Sequence, residues 1–402
     1  MIRKILILKE KDGIWTYFLE DGDIVEIHPC PLNEAKEPQA MLGNIYIGKV
    51  QNIAANIGAA FIDIGGVNCY YDVSQAPHAI FTGKAGNKPL CIGDELLVQI
   101  SREAVKTKAP TVSSNISLTG RYAVLTSGNT RIGVSSKFPR ALRDDYKEKL
   151  KDLKSGDYGI IVRTNAREVP LDTVLQEIAR LKERFLQLKK TAASRTCYSC
   201  LYAAASPYLT DLKNAYAEGL SEILVEDQAL YEEILEYSHR EQPEFADKLQ
   251  LYNNPSFSLA KLYGTGTVLE HALKERVWLR HGGYLVIQPT EALTVIDVNS
   301  GKCVSKKHRA DDFLRMNLEA AREIAKQIRL RNLSGIIIVD FMNLDNPEDT
   351  QHLLRDFRKL LSMDPIQTTL VDVTALHLVE ITRKKIRRPL HEYWKDKGEG
   401  HE

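Results

Sequence analysis

The period of the apolar positions changes along the chain, and each change predicts a different kind of element. Near the start, Ile5, Ile7 and Leu8 precede a charged stretch, and Trp15, Tyr17 and Leu19 then alternate up to Asp21 and Gly22. That pattern predicts short strands joined by turns. Residues 41–118 read as all β: Ile45, Ile47 and the run 59–64 are set apart by glycines, and Gly93, Asp94 and Glu95 open a further strand over 96–100. Short strands at this spacing predict a small barrel of the OB type, a frequent binder of single-stranded nucleic acid. Over 120–193 the pattern mixes strands at 122–125 and 158–162 with a helix over 171–190, through Val174, Ile178, Leu181 and Phe185. A buried strand at 221–225 follows.

The last third is the most legible. Strands are predicted at 284–288 and 293–298, the second apolar enough to be buried on both faces. A helix of about twenty residues follows from Asp311, with Leu314, Leu318, Ala321, Ala325 and Ile328 on one face. Residues 336–339 form another strand. Strand, helix, strand is a βαβ unit, so the two strands should be parallel neighbours. Asp297 and Asp340 then end adjacent strands and face one crevice beyond their carboxyl ends. Neighbouring carboxylates resist ionising together unless a cation lies between them, and few oxygen ligands favour magnesium or manganese over zinc. Asn299, two residues past Asp297, shares its side of the strand. An Asp at a strand end is also a common turn or helix cap, and pattern alone leaves both readings open.

Composition narrows the class without deciding it. The 402 residues are 44% hydrophobic and 27% charged with a net charge of +1, ordinary values for a globular protein of about two to four domains. No apolar run approaches the roughly 18 residues of a membrane span, and the opening apolar stretch is too short for a signal peptide. Six cysteines in this length predict reduced thiols and a cytoplasmic location.

Several long motifs stand in one order: EALTVIDVNSGK (291–302), NLEAAREIAKQIRLRNLSG (317–335) and IIIVDF (336–341), preceded by GNIYIGKVQNI (43–53), AAFIDIG (59–65), NISLTGRYAVL (115–125) and IVRT (161–164). Together they resemble the RNase E/G family of endoribonucleases, from about the start of the chain to Leu390. The resemblance implies an α/β multidomain fold: an RNase H-like subdomain (1–35 and 201–277), an inserted S1 (OB-fold) domain (36–118), a 5′-sensor (119–200) and a DNase I-like catalytic subdomain (278–402).

It further implies that Asp297 and Asp340 hold Mg²⁺, or Mn²⁺, and that Asn299 helps position the attacked phosphate. Gly120, Val124, Arg163 and Thr164 would surround a 5′-monophosphate, and Phe61, Tyr70 and Lys108 would line a channel for single-stranded RNA. Arg163 also fits a surface ion pair, Phe61 the barrel core and Lys108 a solvated loop. Members of the usual length carry a Cys-Pro-x-Cys zinc motif after the catalytic subdomain, whereas the last cysteine here is Cys303. No zinc is therefore expected, and any homo-oligomer should lack that link. Cys197 and Cys200 have metal-ligand spacing but no partner pair. Ser136, Thr111 and Ala375 stand where the family often has Arg, and Asn343 where it has an acid. The expected activity is hydrolytic cleavage within single-stranded RNA, in rRNA maturation or mRNA decay. The alternative is an RNA-binding factor that keeps the fold without turnover.

Overall fold

The computed structural model describes residues 2–31, 41–83, 89–102, 109–215, 219–301 and 309–393. The chain divides into two compact units, one formed by Met1–Cys30 with Gly219–Glu402 and the other by Pro31–Glu218. Three strands open it: β1 (Arg3–Glu10), β2 (Gly13–Glu20) and β3 (Asp23–Pro31). The turn between the last two places Asp21 and Gly22 at φ 48° and 94°, the left-handed pair of a type I′ turn, whose twist matches a two-stranded ribbon.

In the second unit, β4 (Ile45–Ala54), β5 (Ala59–Asp63), β6 (Asn68–Asp72), β7 (Glu95–Arg102) and β8 (Thr111–Ser113) pair in the order β4-β5-β6-β8-β7, and β7 closes back on β4. This five-stranded barrel leaves no open edge and encloses Ala60, Ile62, Cys69, Tyr71, Val98 and Val112. Gly48 is required at one crowded point, because a Cβ there would lie 2.5 Å from a methyl of Ile62. A four-stranded sheet follows, β11-β12-β10-β9, built from β9 (Ser117–Thr119), β10 (Ala123–Thr126), β11 (Ile132–Val134) and β12 (Gly159–Val162). The helix Leu171–Ala192 buries Val174, Ile178, Leu181 and Phe185, as its spacing predicted. Strand β13 (Cys200–Tyr202) returns to pair with β4.

In the first unit, β14 (Leu220–Val225) and β15 (Leu249–Leu251) extend the opening sheet to the order β15-β14-β1-β2-β3. The final sheet contains β16 (Arg276–Trp278), β17 (Tyr284–Pro289), β18 (Leu293–Asn299), β19 (Gly335–Asp340), β20 (Thr368–Val373) and β21 (Val379–Arg383), in the order β16-β17-β18-β19-β21-β20. The helix Arg309–Leu330 connects β18 to β19, which run parallel. It and the helix Pro347–Ser362 cover one face of this sheet. Met316, Ala320, Ile324, Ile328, Leu353 and Phe357 pack there on Leu285, Ile287, Ile296, Val298, Ile337 and Val339, each large side chain contributing roughly 1.5–3 kcal/mol by burial.

Two expectations need correction here. Strand β18 is not buried on both faces: Thr294, Ile296 and Val298 are buried while Leu293, Val295, Asp297 and Asn299 are only half-buried, and Ile336 on β19 is 50% exposed. The helices lie on one side only, so the apolar character of the other side does not report burial. The helix Arg309–Leu330 buries Ala321 and Ile328 of the expected face, but Leu314, Leu318 and Ala325 are only partly buried, and Met316, Asn317, Ala320 and Ile324 widen the buried stripe to one side. Asn317 and Gln327 are polar yet buried, which displaces any face drawn from apolar residues alone.

Two ion-pair networks fix this unit. Arg329 reaches Glu26 at 2.8 Å and Glu20 at 3.2 Å, joining the helix to β2 and β3. Burial alone would push the Glu26 carboxyl up; hydrogen bonding from His28 and the Arg329 guanidinium outweigh it and hold it at about 2. Arg383, first of the basic run at 383–388, is buried and pairs with Asp364 at 2.7 Å, so it is structural. Lys384 and Lys385 stay exposed. Among the described residues, no helix is long and apolar enough to cross a membrane.

Candidate active site

Parallel pairing sets Asp297 directly beside Asp340 across β18 and β19. Both lie on the face that the helices leave open, Asp297 half-buried and Asp340 exposed. The pairing follows from the βαβ connection, which brings two strands of similar length into register with their carboxyl ends together. Burial first, and then the neighbouring Asp297 charge, raise the Asp340 carboxyl above its ordinary range. Asn299 donates from its amide to Asp297 Oδ2 at 2.7 Å, fixing that carboxylate's orientation. The arrangement offers two hard oxygen donors and one oriented amide, a set suited to a magnesium-sized cation with water in its remaining positions. Among the described residues, no three His, Cys, Asp or Glu side chains converge on one point.

Buried contacts hold this edge from behind. Asn317 on the helix is fully buried; its amide donates to Met342 O at 2.7 Å and its carbonyl accepts from Met342 N at 3.1 Å. That clasp fixes the chain two residues beyond Asp340. Gly283 packs so closely that a Cβ would lie 2.8 Å from Asn299 O and 2.7 Å from Met316 Sδ. Neither residue was identified from sequence as part of the site. An Asn in a helix reads as solvated, and only its buried partners reveal the clasp.

The other predicted residues gather in the second unit. Arg163 donates to Gly120 O at 2.6 Å and to Asn214 Oδ1 at 2.7 Å. Thr164 shares a hydrogen bond with Ser135 at 2.9 Å, and Val124 pairs with Ile161 two residues before Arg163. Arg163 thus lies beside Gly120, while Thr164 is held by Ser135 and Val124 sits within the sheet. Beside them the Glu177 carboxylate accepts from the backbone N–H groups of Arg121, Tyr122 and Ala123 at 2.8, 2.6 and 2.8 Å. Phe61 and Tyr70 are direct cross-strand partners on β5 and β6. They alternate with the enclosed Ala60, Ile62, Cys69 and Tyr71, so they stand outside the barrel core. Lys108 lies outside the described residues. Cys197 and Cys200 are free thiols placed against the backbone carbonyls of Ile47 and Tyr202.

The model of the Ribonuclease E/G family matches residues 117–386, a span that contains both carboxylates and Arg163. The chain belongs to that family. Ribonuclease E of Synechocystis sp. (strain ATCC 27184 / PCC 6803 / Kazusa) is 31% identical over 401 residues, covering 97% of this chain and 58% of that protein. Ribonuclease G of Escherichia coli (strain K12) is 31% identical over 390 residues, covering 93% of this chain and 78% of that protein. Ribonuclease G of Haemophilus influenzae is 29% identical over 389 residues, with 92% and 77% covered. The chain therefore spans little more than half the length of the Synechocystis relative and about three quarters of the other two. Family membership makes this a chain of the ribonuclease kind, with RNA as the substrate class it implies.

Proposed function

We propose that this chain is a metal-dependent endoribonuclease that hydrolyses phosphodiesters within single-stranded RNA. The observation that carries the reading is the in-register pair Asp297 and Asp340, open to solvent, with the Asn299 amide fixing one of them. Mg²⁺ is the cation this donor set would hold, with Mn²⁺ able to replace it. When bound, such an ion neutralises phosphate charge and lowers the pKa of a coordinated water. Asp297 and Asp340 supply the negative charge that draws the cation to the strand ends. Asn299 orients Asp297 with one amide hydrogen and retains a second donor for a phosphate oxygen.

The remaining sites extend this reading. Phe61 and Tyr70 stack unpaired bases on the outside of the barrel, with Lys108 tracking phosphates. Gly120, Val124, Arg163 and Thr164 favour a 5′-monophosphorylated end, to which Arg163 turns by exchanging a present acceptor. The division into RNase H-like, S1, sensor and DNase I-like parts, with bounds at 35, 118, 200 and 277, belongs to the same proposal. So does a role in rRNA maturation or mRNA decay in the cytoplasm. A non-catalytic RNA-binding factor is the second reading; Asn343 standing three residues past Asp340 in place of an acid favours it.

A labelled, 5′-monophosphorylated A/U-rich oligonucleotide tests the proposal with Mg²⁺ present. Internal cleavage is expected, lost in Asp297→Asn and Asp340→Asn. Binding without cleavage by the unmodified protein would establish the second reading. Equal cleavage of 5′-hydroxyl and 5′-monophosphate strands would remove the end preference alone.

A further inference from the structure

The open face that carries Asp297, Asn299 and Asp340 continues across β17 to β16. Asn299 pairs with Tyr284, which pairs with Trp278; Asp297 pairs with Val286, which pairs with Arg276. Directly opposed residues share a face of the sheet, so Trp278 and Tyr284 lie in the row of Asn299, and Arg276 in that of Asp297. Their side chains cluster. The Trp278 and Tyr284 rings are 5.2 Å apart and tilted by 57°. The Arg276 guanidinium stands 4.5 Å from the Tyr284 ring centre and 5.9 Å from that of Trp278. Trp278 is nevertheless 65% exposed. A tryptophan is the side chain with most apolar surface to gain from burial, and here it is presented to solvent at the end of a row that begins with Asn299.

We propose that Trp278 and Tyr284, with Arg276 beside them, form a stacking platform for one unpaired base of the RNA strand whose phosphate lies at Asp297 and Asp340. The proposal rests on the nuclease reading of that pair. Neighbouring strands are about 4.8 Å apart, so the platform begins one strand from Asn299 and ends two strands away, within reach of a nucleotide adjoining the scissile phosphate. An aromatic face with a cation at its side is the combination that holds single-stranded nucleic acid, the ring taking the base and the cation the backbone. Every base has a π face, so the platform tolerates any sequence and favours purines by ring area. An edge strand ending in an exposed aromatic also suits a second copy of this chain, but the cation and the shared row with Asn299 favour RNA.

Anisotropy of a fluorescein-labelled oligoadenylate, measured in EDTA so that no strand is cut, reads binding apart from cleavage. Trp278→Ala is expected to weaken binding by roughly 5- to 150-fold, and Trp278→Phe to retain most of it. With Mg²⁺, a single abasic ribose moved along the strand should slow the unmodified protein at one position beside the cut. At that position it should add nothing to Trp278→Ala. Equal affinity of the unmodified protein and Trp278→Ala, or one abasic profile shared by both, overturns the platform. Unchanged RNA affinity with an altered sedimentation coefficient also overturns it and assigns the patch to self-association. Binding that depends on Trp278 without any cleavage would sink the nuclease reading and leave the platform standing.

Discussion

Asp340 is proposed to face a metal cation and Arg163 a phosphate, and the two are equipped in opposite ways. Asp340 accepts no hydrogen bond among the described residues, and its carboxyl is shifted up by burial and by Asp297 beside it. Arg163 already donates to Gly120 and Asn214, and the adjoining turn at 121–123 is filled by Glu177. The first site sets two carboxylates side by side, an arrangement that a bound cation would relieve. The second is satisfied by its own protein, so a phosphate gains only the difference between old and new hydrogen bonds. Cleavage should therefore depend steeply on the carboxylates, and end preference weakly on the arginine.

The largest effect expected from this contrast is at the open pair. Asp340→Asn should slow cleavage by at least about a hundredfold while RNA binding persists, as read by single-turnover cleavage beside filter binding. In EDTA the same variant should melt no lower than the unmodified protein, because it removes a repulsion. A lower melting temperature would break the contrast, since it would make Asp340 a structural partner.

Glu177 tests the satisfied side. Glu177→Ala leaves two buried N–H groups and one part-buried N–H group without their acceptor and should cost about 3 kcal/mol in urea unfolding. A loss below about 1 kcal/mol would mean that the turn does not depend on that carboxylate.

Acid titration probes a comparable satisfied acid in the first unit. Glu26 is depressed from 4.5 to about 2 in the folded chain. Its contribution of roughly 3 kcal/mol is therefore fully present above 4.5 and lost as pH falls towards about 2. Melting temperature followed down that range should fall in the unmodified protein and less steeply in Glu26→Gln. Parallel curves would remove Glu26 as the cause.

The smallest effect is expected at Arg163. Arg163→Ala should reduce the preference for 5′-monophosphate over 5′-hydroxyl strands by less than about tenfold, because the guanidinium must first leave Gly120 and Asn214. Competition between the two substrates measures it directly. A loss of several hundredfold would show that Arg163 is spent on the ligand rather than on the protein.

What was legible in the sequence follows the same division. Two parallel strands joined by a long helix, with Asp297 and Asp340 at matching ends, could be read because period and length both point one way. Which face stays open could not, because Val295, Ile336 and Ile338 are as apolar as the buried Ile296, Ile337 and Val339. Asn317 and Glu177 were passed over because a polar residue on a helix ordinarily faces water, and both are buried. Trp278 and Tyr284 became visible only through register, which aligns them with Asn299 across strands that sequence spacing does not relate. The barrel strands were legible from their glycine punctuation, whereas closure of β7 on β4 is a long-range pairing that no local pattern encodes.

The most direct measurement is single-turnover cleavage of a 5′-monophosphorylated oligonucleotide as a function of Mg²⁺ concentration, for the unmodified protein, Asp297→Asn and Asp340→Asn. A saturating dependence on Mg²⁺ is expected in the unmodified protein, with no cleavage in EDTA and a loss of at least about a hundredfold in each variant. Cleavage that persists in EDTA, or at an undiminished rate in either variant, would contradict that expectation.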